Sequence, residues 1–365
     1  MIFEPYVAAG LRLENRVVMA PMTRAFTPGG VPGEANVQYY RRRAAGGVGL
    51  IITEGVWIDH PTAGNMRNVP QMHGQEALAG WRSVVEAVHA EGAKIFPQLW
   101  HVGMTRGQEI VKKSGLLSSS PSGLTQDGFE IAAAMTQADI DDVIDAYARA
   151  AKNAFDQGFD GVELHGAHGY LIDQFFWQGS NRRSDRYGGN LAQRTRFACE
   201  IVREVKKRTD RSFPLSLRIS QWKQQDYAAT LASTPEEWAS FLRPLCEAGV
   251  DIFHVSTRRF RDPAFAGSDE TLPALTRKIT GRTVITVGSI GLTVAKEPGW
   301  EKGGAWSISP ERSVDDIELR LRRGDFDLFA VGRVILANPA WPALVRQERF
   351  QDIQPYTIEA RDHLV

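Results

Sequence analysis

Short runs dominated by apolar residues alternate along this chain with longer segments in which apolar side chains recur every three or four positions, and the pairing repeats eight times. The short runs are Arg16 to Ala20, Gly49 to Thr53, Lys94 to Leu99, Gly161 to Leu164, Leu215 to Ile219, Ile252 to Val255, Val284 to Val287 and Leu328 to Val331. They are rich in β-branched residues and lack polar alternation, the pattern of strands buried on both faces. The segments between them have helical period: Glu34 to Ala45, Gln75 to Ala90, Thr136 to Phe155, Asn190 to Lys207, Thr234 to about Gly249, Leu272 to Thr280, Ser313 to Arg323 and Pro339 to Arg349. In the second, Ala79, Val84, Val85 and Val88 form an inward stripe around Trp81. Thr136 followed by Asp139 reads as a capping box, Gly158 as a stop, and Thr234-Pro235-Glu236-Glu237 as a cap, a first-turn proline and two acids on one helix start. Strand and helix alternating eight times predict parallel strands with crossover helices, an α/β chain forming a single (β/α)8 barrel over residues 1–365. Three connections exceed what a barrel needs: 103–135, 177–189 and 292–310, the last with Trp300 and Trp306. They are expected to be loops extended at the carboxyl face, the last a lid.

Composition narrows the partners. Forty-three basic residues balance forty-three acidic ones, so no net field draws in nucleic acid or a charged membrane. The two cysteines, Cys199 and Cys246, fall in helical segments and are expected to be unpaired. No apolar run reaches the length of a membrane span, and Met1-Ile2-Phe3-Glu4-Pro5 lacks the basic and apolar regions of a signal peptide. The expectation is a soluble, cytoplasmic protein; the sequence leaves its oligomeric state open.

In such a barrel, chemistry gathers at the carboxyl ends of the strands. The first run leads into Pro21-Met22-Thr23-Arg24, placing a fixed turn and a neutral hydroxyl there. The second ends at Thr53-Glu54-Gly55, where the glycine admits something flat. The third delivers Gln98, an amide donor and acceptor, and Trp100, an aromatic wall. The fifth carries Arg218 inside an apolar strand, a buried charge that calls for an anion or an electron-rich ring. The seventh and eighth end in Gly288-Ser289 and Gly332-Arg333, the pattern of a backbone phosphate site with a forked cation beside it. These ends together point to one planar, phosphorylated, hydrogen-bonding ligand, and flavin mononucleotide fits that description. Neither a GxGxxG nor a Walker sequence is present.

The fourth run opens into the densest chemistry, His165-Gly166-Ala167-His168-Gly169-Tyr170. Two imidazoles can donate to an anionic oxygen, and a phenol can serve as a weak acid. Other readings remain open at this level. The same histidines also suit structural donors in an ordinary loop, or two zinc ligands completed by Glu54 or Glu163. A lyase reading would want a lysine at a strand end, whereas Lys94 lies at the opposite end and Lys223 falls after the fifth run.

The run Asn15 to Arg24, Gln98-Leu99-Trp100-His101, His165 to Leu171, Ser180 to Gly189, Val331-Gly332-Arg333 and Ala337-Asn338-Pro339, in this order, resembles the old yellow enzyme family of flavin-dependent ene-reductases nearly from end to end. The resemblance implies a barrel with tightly but non-covalently bound FMN, reduced by NADPH or NADH and passing hydride to the activated alkene of an enone, enal, maleimide or nitroalkene. It implies that Thr23, Gln98 and Arg218 hold the ring, that Pro21, Met22 and Gly55 line it, and that Gly288, Ser289, Gly332 and Arg333 grip the phosphate. His165 and His168 would hold the substrate oxygen beside Trp100, and Tyr170 would protonate the α-carbon. No metal is implied. Some relatives carry asparagine in place of His168. The segments Ser220 to Tyr227 and Arg258 to Arg261 match no assigned part of the family pattern.

Overall fold

A computed structural model describes residues 1–124, 134–291 and 310–364 of the chain. The expected insertion over 292–310 therefore falls almost wholly outside the described residues.

The chain opens with a hairpin of β1 (Tyr6–Ala8) and β2 (Leu11–Leu13), paired antiparallel around Ala9 and Gly10, both at positive φ. Eight parallel strands follow: β3 (Val17–Met19), β4 (Leu50–Trp57), β5 (Lys94–Trp100), β6 (Val162–His168), β7 (Leu215–Lys223), β8 (Ile252–Ser256), β9 (Thr283–Val287) and β10 (Leu328–Val331). They close in sequence order, with β10 bonded to both β9 and β3, so the expected (β/α)8 barrel is what the structure shows. Alternate residues meet inside it: Val18, Leu50, Ile52, Phe96, Ile252, Ile285 and Leu328 form one apolar cluster. Tyr6, Leu11 and Leu13 of the hairpin pack on that cluster and close the amino end of the barrel. The hairpin is too short and too weakly patterned to be read in advance.

The helices carry the outer apolar layer. They are α1 (Glu34–Ala45), α2 (Gln75–Ala90), α3 (Gln108–Ser114), α4 (Gln137–Asp156), α5 (Leu171–Phe176), α6 (Leu191–Arg194), α7 (Arg196–Arg208), α8 (Pro235–Ala248), α9 (Leu272–Thr280), α10 (Pro310–Arg323), α11 (Arg333–Ala337) and α12 (Trp341–Arg346). The expected cap of α4 forms as a full capping box between Thr136 and Asp139. The fourth expected helix is broken at Thr195, whose hydroxyl donates to the Ala192 carbonyl at 2.6 Å. The eighth, expected over Pro339 to Arg349, is α12 alone, and the short α11 precedes it as a separate helix on the far side of Asn338-Pro339-Ala340.

Three strands run further at their carboxyl ends than the apolar runs indicate. β4 reaches Trp57, β6 reaches His168 and β7 reaches Lys223. Polar residues interrupt the hydrophobic signal there, and the register slips between Ile52 and Gly55 and between Gly166 and His168. His165 and His168 thus lie on strand rather than in a loop. Lys223 is the last residue of β7, not a residue beyond it.

The 177–189 connection is held from within. Asn181 Nδ2 donates to the carbonyls of Phe175 and Tyr187, and Arg183 donates to those of Pro121 and Met135, tying the 103–135 excursion to the barrel. Asn338 does the same for the carboxyl-terminal segment, bonding Gln354 through both its amide nitrogen and its oxygen. Cys199 and Cys246 are free thiols. Among the described residues no helix is long and apolar enough to cross a membrane.

Candidate active site

A cavity of about 340 Å³ opens at the carboxyl ends of the strands. Its size lies within the range of cofactor and small-molecule sites, roughly 300–1,000 Å³. Of the residues singled out above, Pro21, Met22, Thr23, Gln98, Trp100, His165, His168, Tyr170, Arg218, Gly288, Ser289, Gly332 and Arg333 all line it.

Gly55 is the exception. It does not line the cavity, and a Cβ there would collide with the six-membered ring of Trp100. The flat group that Gly55 admits is the protein's own indole. Trp100 lies over it and stacks on Trp57 at 4.4 Å, and so presents its far side to Tyr170 and His165.

The barrel floor of the cavity is a buried charge network. Glu163 accepts from Gln98 Nε2 at 2.9 Å, Ser216 Oγ at 2.9 Å and His254 Nδ1 at 2.8 Å. Burial opposes its charge, but His254, Arg218 and Ser216 hold it below the usual carboxylate range. Burial also keeps His254 below its ordinary value, so an anionic Glu163 accepts from a neutral imidazole. Arg218 supplies the balancing cation: burial lowers its pKa to about 10, Glu163 opposes the drop, and Nε remains buried with no partner among the described residues. Such an orphaned donor beside a cavity is the mark of a missing acceptor. Glu54 and Glu163, the two carboxylates that a metal would use, are already engaged, the former by the backbone N–H groups of Arg24 and Ala25.

His165, His168 and Tyr170 converge above this floor. The His165 ring lies 5.1 Å from His168 and 4.8 Å from Tyr170, both edge to face. Burial first, then the charge of Arg218, hold His165 well below its ordinary pKa, so it is neutral near pH 7, with Nδ1 unpartnered among the described residues. His168 occupies the left-handed region at φ 66°, a costly conformation for a side-chain-bearing residue. Its backbone N–H donates to Ser220 Oγ at 3.0 Å and its Nε2 meets Ser256 Oγ at 2.8 Å. The Gly169 N–H donates to Asp173, which Lys223 neutralises at 2.8 Å. That buried pair also accounts for Lys223, and Lys94 bonds Asp160 at the opposite end of the barrel, so neither offers a free strand-end amine for a lyase. Burial pushes the Tyr170 phenol up to about 12, with Gln224 and Arg218 opposing.

On the opposite wall, β9 and β10 deliver Gly288, Ser289 and Gly332. Gly288 sits so close to Thr257 and Phe260 that a Cβ would lie 2.5 Å from Thr257 Oγ1. Ser289 has φ 54°, and its hydroxyl donates to the Arg258 carbonyl. The amides of Gly288, Ser289 and Gly332 meet no acceptor among the described residues.

Several lining residues went unread in the sequence. Ser256 ends β8 and Thr257 and Arg258 follow it, and hydroxyls at a strand end were the same signal that marks Thr23 and Ser289. Tyr356 and Arg361 arrive from the carboxyl-terminal segment, which Asn338 and the Arg24 guanidinium pin in place by bonds to Gln354 and to the carbonyls of Arg361 and His363. No local pattern announces so distant a contribution.

Comparison with known proteins agrees with this geometry. The model of the NADH:flavin oxidoreductase / NADH oxidase family matches residues 1–352. A protein named NADH oxidase from Thermoanaerobacter brockii is 33% identical over 362 residues, covering 94% of this chain and 50% of the relative. 12-Oxophytodienoate reductase 7 from Oryza sativa subsp. japonica is 41% identical over 217 residues, 56% of this chain and 54% of the relative. The chain thus spans about half the length of each of these two relatives. Among solved structures, morphinone reductase superposes with a TM-score of 0.78 at 30% identity, covering 95% of this chain and 89% of the other.

Proposed function

Because this chain belongs to the NADH:flavin oxidoreductase / NADH oxidase family, that of the old yellow enzymes, we propose that it is an FMN-dependent oxidoreductase that takes reducing equivalents from NADPH or NADH and reduces the activated C=C bond of enones, enals, maleimides or nitroalkenes. The observation that carries this reading is the meeting of His165, His168 and Tyr170 with Arg218 and the glycine ends of β9 and β10 around one cavity.

The residues present suit FMN. Arg218 has an unsatisfied buried donor, and Gln98, with one amide N–H committed to Glu163, keeps its oxygen for a ring donor. Pro21, Met22 and Thr23 would line the ring, and Gly288, Ser289, Gly332 and Arg333 would hold the phosphate. When bound, FMN supplies the hydride chemistry, receiving from the nicotinamide and giving to the alkene.

The chain's own groups then orient and polarise. His165 and His168 hold the oxygen of the substrate's carbonyl or nitro group, on which negative charge accumulates as the β-carbon is reduced. Donors set in place before that charge develops lower the barrier most. Tyr170, still protonated at neutral pH, delivers its proton to the α-carbon. A single cavity that serves both the nicotinamide and the alkene implies a ping-pong sequence.

The test is direct. Purified protein is expected to carry or take up FMN and to oxidise NADPH or NADH in step with loss of 2-cyclohexenone or N-ethylmaleimide, with parallel lines in double-reciprocal plots. A protein that stays colourless with added FMN would remove the redox reading, and bound flavin without turnover would leave a binding role. Arg218→Met should lose FMN on dialysis under conditions in which the parent chain retains it, measured as flavin absorbance per protein. Equal retention would sink the assignment of Arg218 to the ring.

A further inference from the structure

The segment Ser220 to Tyr227, which matches no assigned part of the family pattern, does not wander over the surface. It builds a column of rings against one member of the histidine pair. The Trp222 indole stacks on the His168 imidazole with centroids 4.4 Å apart and planes at 27°. Tyr227 in turn stacks on Trp222 at 5.5 Å with planes only 4° apart, and the Arg258 guanidinium carbon lies 4.6 Å over the Tyr227 ring. Four groups from three strand ends thus form one pile: guanidinium, phenol, indole, imidazole.

The pile is fastened at both backbone and side-chain level. Trp222 Nε1 donates to the Ser256 carbonyl at 3.2 Å, and the hydroxyl of the same Ser256 bonds His168 Nε2. Ser220 Oγ accepts the His168 N–H and donates to the Trp222 carbonyl at 2.7 Å, while the Gln224 N–H donates to the His168 carbonyl at 3.3 Å. Trp222 and His168 are therefore tied to common partners as well as to each other. The tie matters because the His168 backbone is strained at φ 66° and lies where the β6–β7 register slips. A strained residue keeps its conformation only where its surroundings over-determine it. Trp222 also lines the cavity, beside the imidazole on which it stacks.

We infer that Trp222, braced by Tyr227 and Arg258, is a positioning residue that fixes the His168 ring as an oxygen donor. The inference rests on the oxygen-clamp reading of the histidines. Ring stacking of this kind contributes enough to change affinity about tenfold when lost.

The experiment is a double-mutant cycle on the FMN-loaded protein, with p-hydroxybenzaldehyde binding read from the flavin spectrum. Trp222→Ala should weaken binding about tenfold, and Trp222→Phe, which keeps a stacking ring, should recover most of the loss. The double variant Trp222→Ala/His168→Ala should bind no worse than His168→Ala alone, because Trp222 acts through the imidazole. Additive losses, or a Trp222→Ala protein that binds like the parent, would overturn the inference while leaving the clamp intact. A parent protein that holds FMN but does not bind the phenol would remove the clamp reading and this inference with it.

Discussion

Replacing Tyr170 by phenylalanine should slow reduction of 2-cyclohexenone by about 10²- to 10⁴-fold while leaving flavin reduction by NADPH or NADH essentially unchanged. The substitution isolates one atom. The Tyr170 ring packs edge-on against both Trp100 and His165, with each centroid 4.8 Å away, and phenylalanine preserves both contacts. Only the hydroxyl is lost, and with it the proton destined for the α-carbon. Delivery of electrons from the nicotinamide needs no proton from that phenol, so rapid-mixing measurements of the two half-reactions should separate cleanly. Equal loss in both would contradict the proton-donor role and point to a packing defect. The acid–base side gives a second check. Burial raises the phenol to about 12, so the proton is present throughout the neutral range and is lost only as the pH climbs toward that value. Alkene reduction by the parent chain should show no alkaline limb from this group between about pH 6 and 9. A limb in that window that vanishes in the Phe variant would mean a much more acidic tyrosine than the buried one seen here.

What could be read from the sequence, and what could not, divides along physical lines. All eight barrel strands were visible because strands buried on both faces have no polar alternation to confuse them. Their carboxyl ends were not, because residues such as His165 and His168 are polar for the sake of the cavity and interrupt the apolar run while still pairing in the sheet. The site residues were legible to the extent that they sit at strand ends, and Gly55 shows what that rule leaves open. A small residue at a strand end admits a close neighbour, but the sequence cannot say whether that neighbour is a ligand or Trp100, which lies beside it because Gly55 pairs with Gln98 and Trp57 with Trp100 in the β4–β5 register. Tyr356 and Arg361 were beyond reach for another reason. Their place at the cavity depends on Asn338 and Arg24, which join the carboxyl-terminal segment to opposite parts of the chain. The role of Trp222 is of the same kind, since it emerges only once the rings of three strand ends are stacked.

Substituting alanine at His165 or His168 should each lower enone turnover by about 10²- to 10³-fold, the usual cost of removing one donor to an oxyanion, and weaken binding of p-hydroxybenzaldehyde in parallel. The two positions need not respond alike. His165 is held by burial between Trp100, Tyr170 and His168, with Nδ1 unpartnered, whereas His168 leans on Ser256 and Trp222. Asparagine at position 168 should restore part of the loss, since an amide also donates; alanine cannot. The protonation state sharpens the test. Burial and the neighbouring Arg218 keep His165 far below its ordinary pKa, so it takes up a proton only well under pH 6.5 and acts as a neutral donor above that. As pH rises through the neutral range, affinity for the phenol should therefore increase with ionisation of the ligand alone, with no opposing loss from an imidazolium giving up its charge. If affinity instead fell between about pH 6 and 8, in proportion to deprotonation of a group near the ordinary histidine value, the clamp would be a charged one and the environment assigned to His165 would be wrong. If both alanine variants bound the phenol like the parent chain, the oxygen would have to be held elsewhere, and the pairing of the two imidazoles would be reduced to a packing contact.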